Sequence, residues 1–206
     1  MERMKLLGEH GWGSVLVESQ LVLYGLEHDY ERVGDLFESE KARRRVADFN
    51  PLSQVPTLVL PDGSVMSESA AITLYLADLT GSDRLVPPPG DPSRAKFLRW
   101  LIFLVTNVYP TVKHEAARQG FRDEVGAYAK RLYSIVDAAA GSPWFLGERF
   151  SAIDIYICAM TRWRPGRAWF AENAPRLSAI ARAADDLPEL AAVWQRNFGD
   201  AGAAPS

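Results

Sequence analysis

The sequence predicts an α/β domain followed by an all-helical one. Three observations carry that expectation: short apolar runs alternate with helical spacing as far as Gly81, prolines crowd the stretch from Leu85 to Pro92, and only helical spacing follows. Met4 to Leu7 is an apolar run closed by Gly8, with Gly11 and Gly13 beyond it, which predicts a buried first strand and a turn. Ser14 to Tyr24 is apolar except for Glu18, Ser19 and Gln20, and Gly25 sits where a helix-ending glycine belongs, so a core-facing helix is expected. His28 to Val33 reads as a second strand despite poor alternation, and Ser39 to Phe49 as a charged, exposed helix. Thr57 to Leu60, the turn formers Pro61-Asp62-Gly63-Ser64 and Val65 to Ser67 predict a hairpin. Ile72, Tyr75, Leu76 and Leu79 recur at i, i+3, i+4 and i+7 and mark a helix that stops at Gly81. The order is β-α-β-α-β-β-α.

Pro87, Pro88, Pro89 and Gly90 make the following connection stiff and polar, as at a domain boundary. The expected organisation is a first domain over 1–81, a linker over 82–92, a helical domain over 93–200 and a loose tail over 201–206. Helical spacing covers Arg94 to Val108, Glu124 to Ala140, Ala152 to Arg162 and Pro188 to Phe198. Ser151-Ala152-Ile153-Asp154 reads as a capping box with Asp in place of Glu, and Phe150 can close on Ile155 as a staple. Tyr109-Pro110 predicts a kink.

Of the 206 residues, 48% are hydrophobic and 24% charged, the composition of an ordinary globule. A formal net charge of -3 argues against a nucleic-acid partner held by phosphate neutralisation. No apolar run reaches the roughly 18 residues that span a bilayer, and the N-terminus lacks an apolar leader segment, so no membrane partner and a cytoplasmic location are expected. The single cysteine, Cys158, excludes an internal disulfide and a CxxC pair, and reads as a small buried hydrophobe. His114 has no metal-compatible neighbours, and no metal site is expected.

The chemistry concentrates in Asn50-Pro51-Leu52-Ser53-Gln54-Val55-Pro56-Thr57 and in Glu68-Ser69 before Ile72. A proline ahead of a strand, a hairpin and a polar pair at a helix start bring open backbone groups, a carboxylate and a hydroxyl together, which suits a short zwitterionic peptide. These segments, followed by Phe150-Ser151-Ala152-Ile153-Asp154 in the helical half, resemble the cytosolic glutathione S-transferases. The resemblance covers nearly the whole chain. It implies a thioredoxin-like N-terminal domain, an α-helical C-terminal domain, glutathione as co-substrate bound on the first domain, a homodimer and a role in detoxification.

On that resemblance Pro56 is the family's cis proline, and the N–H and C=O of Val55 bond the peptide as an added strand, with Gln54 beside them. The alternative is a trans proline at a strand start. Glu68 pairs with the ligand's ammonium, and Ser69 with the helix N–H groups takes its carboxylate; the alternative is a plain cap beside a solvated Glu68. The turn His10-Gly11-Trp12-Gly13-Ser14 offers one hydroxyl, Ser14, as the candidate that stabilises the thiolate, with Trp12 shaping the entrance. No Tyr or Cys stands there, and where related classes place Ser or Cys this chain has Gly11 or Gly13, so backbone donors remain the other reading. Phe103, Tyr109 and Trp163 are candidates to stack on a small hydrophobic electrophile in a cleft between the domains. The basic run from Arg162 to Arg167 reads as a solvated loop or an anion-attracting rim.

The expected activity is conjugation of glutathione to an electrophile. A glutathione-dependent isomerase, dehalogenase or ether-cleaving lyase would use the same site with another cleft, and a non-catalytic docking or ligand-binding module would share the fold.

Overall fold

The computed structural model describes residues 3–111 and 126–199; His114, the start of the helix expected from Glu124, and the tail lie outside them. The chain forms two compact units, one of residues up to Ser82 together with the segment from Leu187 onward, the other Asp83–Asp186.

In the first unit, β1 (Met4–Gly8), α1 (Ser14–Leu23), β2 (His28–Arg32), α2 (Glu40–Ala47), β3 (Thr57–Val59), β4 (Val65–Met66) and α3 (Ser69–Thr80) follow in the expected order. The sheet runs β2-β1-β3-β4, with β1 parallel to β2 and antiparallel to β3, and β3 antiparallel to β4. Alternation along β1 sends successive side chains to opposite faces. Leu6 joins Val17, Leu21, Leu58, Ile72 and Leu76 on the face covered by α1 and α3. Leu7 joins Leu36, Ala42 and Val46 on the face covered by α2. The arginine-rich α2 thus buries only Ala42 and Val46. Gly81 ends α3 in the left-handed conformation, with φ of 60°.

The second unit contains α4 (Arg94–Phe103), α5 (Ala127–Ala139), α6 (Ala152–Met160), α7 (Arg167–Asn173) and α8 (Pro175–Asp185). Every residue of α6 is buried, which accounts for its apolar composition outside the capping Asp154. Two of these helices, α7 and α8, lie outside the segments named from spacing: α7 is seven residues long and buries Phe170, too little for a period to show, whereas Leu177, Ile180, Ala181 and Ala184 of α8 do recur at i, i+3, i+4 and i+7. Ahead of Tyr109-Pro110, where a kink is expected, the chain forms a π-helical turn at Leu104–Val108, in which the Tyr109 N–H bonds the Leu104 carbonyl. Pro110 has no N–H, and its ring would crowd the carbonyl one turn back, so the preceding turn widens. The cavity beside it, lined by Leu104, Val108, Ile157 and Phe170 among others, is about 10 Å³, room for one water-sized sphere and no ligand.

The capping box is present: the Asp154 carboxylate accepts from the Ser151 N–H at 2.8 Å, the Ser151 hydroxyl at 3.1 Å and the Phe145 N–H at 2.7 Å. Phe150 meets Trp144 edge-to-face, with ring centroids 4.8 Å apart.

After a 3₁₀ turn at Pro188–Leu190, the last helix, α9 (Ala191–Phe198), belongs to the first unit and not to the helical half in which its spacing placed it. The reason lies in α1. Glu18 is completely buried, and α9 brings it Arg196 and Asn197.

Candidate functional site

Strand register determines which loops share an end of the sheet. Leu7 pairs with Thr57, so the segment just before β3 lies beside the end of β1 and the turn that follows it. Leu58 pairs with Met66, so the segment after β4, leading into Glu68 and Ser69, runs toward the same end. Three loops therefore converge, separated by two strand spacings of about 4.8 Å each, or roughly 10 Å, the reach of an extended tripeptide.

The Val55-Pro56 bond is cis, as the resemblance implied. Among the described residues neither the N–H nor the C=O of Val55 has a hydrogen-bond partner. The approach to it is fastened from beneath by Asn50, only 6% exposed. Its Nδ2 donates to the Gln54 carbonyl and to Thr57 Oγ1, both at 3.2 Å, and Thr57 Oγ1 donates to the Gln54 carbonyl at 2.8 Å. The Val55 side chain packs with Trp12 against the Leu7 cluster, while the Gln54 side chain is exposed. Asn50 and Thr57 are supports the sequence reading passed over; the Asn-Pro turn was their signal.

Glu68 is the N-cap of α3, exposed, with φ of 65° and no capping bond from its side chain. A non-glycine residue at positive φ is a conformation costing of order 1–3 kcal/mol and is concentrated at functional sites. Ser69 is the first helical residue and so is not the cap. The N–H groups of Ser69, Ala70 and Ala71 have no partner among the described residues, and no acidic side chain occupies the first turn. This helix mouth presents donors and a positive dipole end beside a carboxylate.

The Ser14 hydroxyl is not presented to a ligand, a correction to the sequence reading. Ser14 is completely buried; its Oγ donates to the Glu9 carbonyl at 2.9 Å, accepts from the Glu9 N–H at 3.1 Å and contacts the Tyr30 hydroxyl at 3.2 Å. Its one proton is committed, leaving Tyr30 as donor. Burial pushes the Tyr30 phenol up to about 12, so that hydroxyl keeps its proton. A Cβ on Gly8 would stand 2.5 Å from the Ser14 Cβ and 2.6 Å from the Tyr30 hydroxyl, which is why glycine closes β1. Ser14 is an internal brace of the turn. What the turn does present is backbone: α1 has no side-chain cap, and the N–H groups of Gly13 and Ser14 have no partner among the described residues. Trp12 stacks on Phe37 at 5.1 Å and His10 on Tyr30 at 5.5 Å.

In the helical unit Tyr109 and Trp163 meet edge-to-face at 5.3 Å, whereas Phe103 stands edge-on to Trp100 at 5.1 Å. Burial pushes the Tyr109 phenol up to about 12. The expected solvated or anion-attracting basic run is corrected too: Arg162 and Arg167 both donate to Asp185 Oδ1, at 2.7 and 2.9 Å, leaving Arg164 as the exposed member. Cys158 is buried, and its thiol is pushed up to about 12, chiefly by burial, so it is no nucleophile. Among the described residues no cluster of His, Cys, Asp or Glu could hold a metal ion, and no helix is long and apolar enough to cross a membrane.

The profile of the glutathione S-transferase N-terminal domain matches residues 17–79. Over 203 residues the chain is 36% identical to an uncharacterized GST-like protein, YncG, of Escherichia coli K12, covering 94% of this chain and 98% of that one. The chain belongs to the glutathione S-transferase family. It is also 29% identical over 146 residues to the glutathione S-transferase GstA of Escherichia coli O157:H7, covering 68% of this chain and 72% of that one. Among solved structures, a sphingomonad glutathione S-transferase complexed with glutathione superposes with a TM-score of 0.73 at 25% identity, covering 93% of this chain and 97% of that one. The mixed four-stranded sheet with its helices and the helical unit are this family's fold.

Proposed function

We propose that the protein is a glutathione transferase that binds reduced glutathione across the converging loops and conjugates it to a small hydrophobic electrophile. The observation that carries this reading is the register of β1, β3 and β4, which gathers an unpaired Val55 peptide edge and two uncapped helix mouths at one end of one sheet. The cysteinyl main chain pairs with Val55, Glu68 takes the ammonium, and Ser69 with the first N–H groups of α3 takes the γ-glutamyl carboxylate. Gln54 and Trp12 flank the peptide. The thiol then lies at the mouth of α1, where Gly13 and Ser14 supply backbone donors in place of a hydroxyl. A free cysteine thiol has a pKa of about 8.5, and a hydrogen bond to a charged acceptor, worth about 1.5–3 kcal/mol, lowers it by roughly one to two units. One well-aimed N–H is therefore enough to make thiolate a major species at neutral pH. Tyr109 and Trp163 are the aromatic pair we assign to the electrophile, and a homodimer in the cytoplasm is the proposed state.

One observation favours a second reading. With Ser14 buried, no hydroxyl side chain of the turn faces a ligand, and a non-catalytic glutathione-binding module needs none. Two measurements decide. Reduced glutathione should raise the melting temperature with the logarithm of its concentration, as linkage requires; a flat response removes the site. Turnover against a panel of electrophiles then separates transferase from binding module, with no turnover on any favouring the latter.

A further inference from the structure

The last helix of the chain grips the thiol-activating turn. Asn197 uses its whole amide: Oδ1 accepts from the Gly11 N–H at 3.2 Å, while Nδ2 donates to Glu18 Oε2 at 2.7 Å and to the Val193 carbonyl at 3.0 Å. Arg196 Nε donates to the other oxygen of Glu18 at 2.6 Å. The acceptors around Nδ2 fix which way the amide faces, because its oxygen could not approach a carboxylate. Glu18 is completely buried on α1, where Arg196 compensates its charge and the Asn197 amide satisfies its second oxygen. Gly11 has φ of +73°, and a Cβ there would stand 3.2 Å from the Asn197 carbonyl oxygen. Glycine at this position therefore seats the end of α9. The turn is thus held from two sides, by Ser14 on the Glu9 backbone within and by Asn197 on Gly11 from α9.

We infer that Asn197, oriented by Glu18 and Arg196, is a positioning residue for thiol activation: it holds the Gly11 peptide so that the Gly13 and Ser14 N–H groups keep their aim at the thiolate. This rests on the transferase reading above. Tyr30, His10 stacked on it, Glu9 with its partner Arg32, and Arg196 are the other titratable or charged groups around α1 and the turn, and none of these is substituted in the variants below.

The test titrates the thiolate absorbance of glutathione bound to the full-length protein, alongside affinity for S-methylglutathione, which has no thiol to ionise. Wild type should bind both ligands; if it binds neither, the transferase reading falls and this inference with it. In Asn197→Ala the thiol pKa should rise by about one unit, with kcat/KM at neutral pH down about tenfold. S-methylglutathione affinity should change less than about threefold, because the Val55 and Glu68 contacts are untouched. The exchanged pair Asn197→Asp with Glu18→Gln keeps an acceptor on Gly11 and reverses donor and acceptor between the two side chains, while giving up the bond to the Val193 carbonyl, which a carboxylate cannot make. It should return the pKa to within about 0.3 unit of wild type, and it serves as the deciding variant should Asn197→Ala not fold. A folded Asn197→Ala with an unshifted thiol pKa, or an exchanged pair with a pKa as high as that of the alanine variant, overturns the inference.

Discussion

The two helix mouths at Ser151 and at Glu68 solve the same problem in opposite ways. Both leave backbone N–H groups without helical partners. At α6 the chain fills the mouth itself: Asp154 and Ser151 are completely buried, and the carboxylate accepts three donors. At α3 the cap is Glu68 at positive φ, with no capping bond and an exposed side chain. A closed mouth contributes to stability, whereas an open one keeps its donors for a partner that arrives later, in the proposed function a ligand's carboxylate.

Breaking the closed mouth should give the largest effect. Asp154→Ala strips the acceptor from two backbone N–H groups and a hydroxyl and should cost roughly 3–5 kcal/mol in urea denaturation. The same carboxyl should make stability depend on pH. Burial pushes Asp154 up to about 7 against the hydrogen bonds that pull it down, so the folded state binds its proton more tightly than the unfolded chain. Its contribution is then full below about pH 4, declines as pH rises through 7 by no more than about 4 kcal/mol, and is flat above. A stability that instead rises across this interval in wild type, relative to Asp154→Asn, would show that the three donors outweigh burial.

Changing the open mouth should move binding and leave the fold alone. Glu68→Ala and Ser69→Ala should each weaken glutathione about 10- to 100-fold in calorimetry, roughly 1.4–2.8 kcal/mol, while stability without ligand shifts by less than about 0.5 kcal/mol. The smallest functional effect belongs to the buried turn. Ser14→Ala should destabilise by about 1–2 kcal/mol and lower turnover per folded molecule by no more than about tenfold, the loss of one of two holds on the turn, because its hydroxyl braces Glu9 and does not touch the thiol. A loss of a hundredfold or more in kcat with stability intact would restore Ser14 as the catalytic hydroxyl.

The same contrast separates what was legible from what was not. The closed mouth is written locally: Ser151 and Asp154 stand three apart, before an apolar run, and their bonds are the ones this spacing implies. The open mouth was legible as a place, Glu68-Ser69, through the helix periodicity that starts there. Ser14 is the one hydroxyl that the turn His10–Ser14 offers, but position in sequence says nothing of burial, and Tyr30 arrives on another strand to cover it. Helix α7 buries Phe170 alone and has no periodicity to read, whereas α8 carries legible helical spacing in Leu177, Ile180, Ala181 and Ala184.

The sequence by itself determined the strand and helix order of the first unit, the capping box and the segments that form the candidate site, because each follows from periodicity, turn formers or caps within a few residues. Only the tertiary structure decided that Ser14 faces inward, that Arg162 and Arg167 turn to Asp185, and that α9 packs with the first unit to hold Glu18 and Gly11. Glu18 lies 179 positions from Asn197. A buried carboxylate requires a partner, but where the chain finds one depends on packing that no local pattern records.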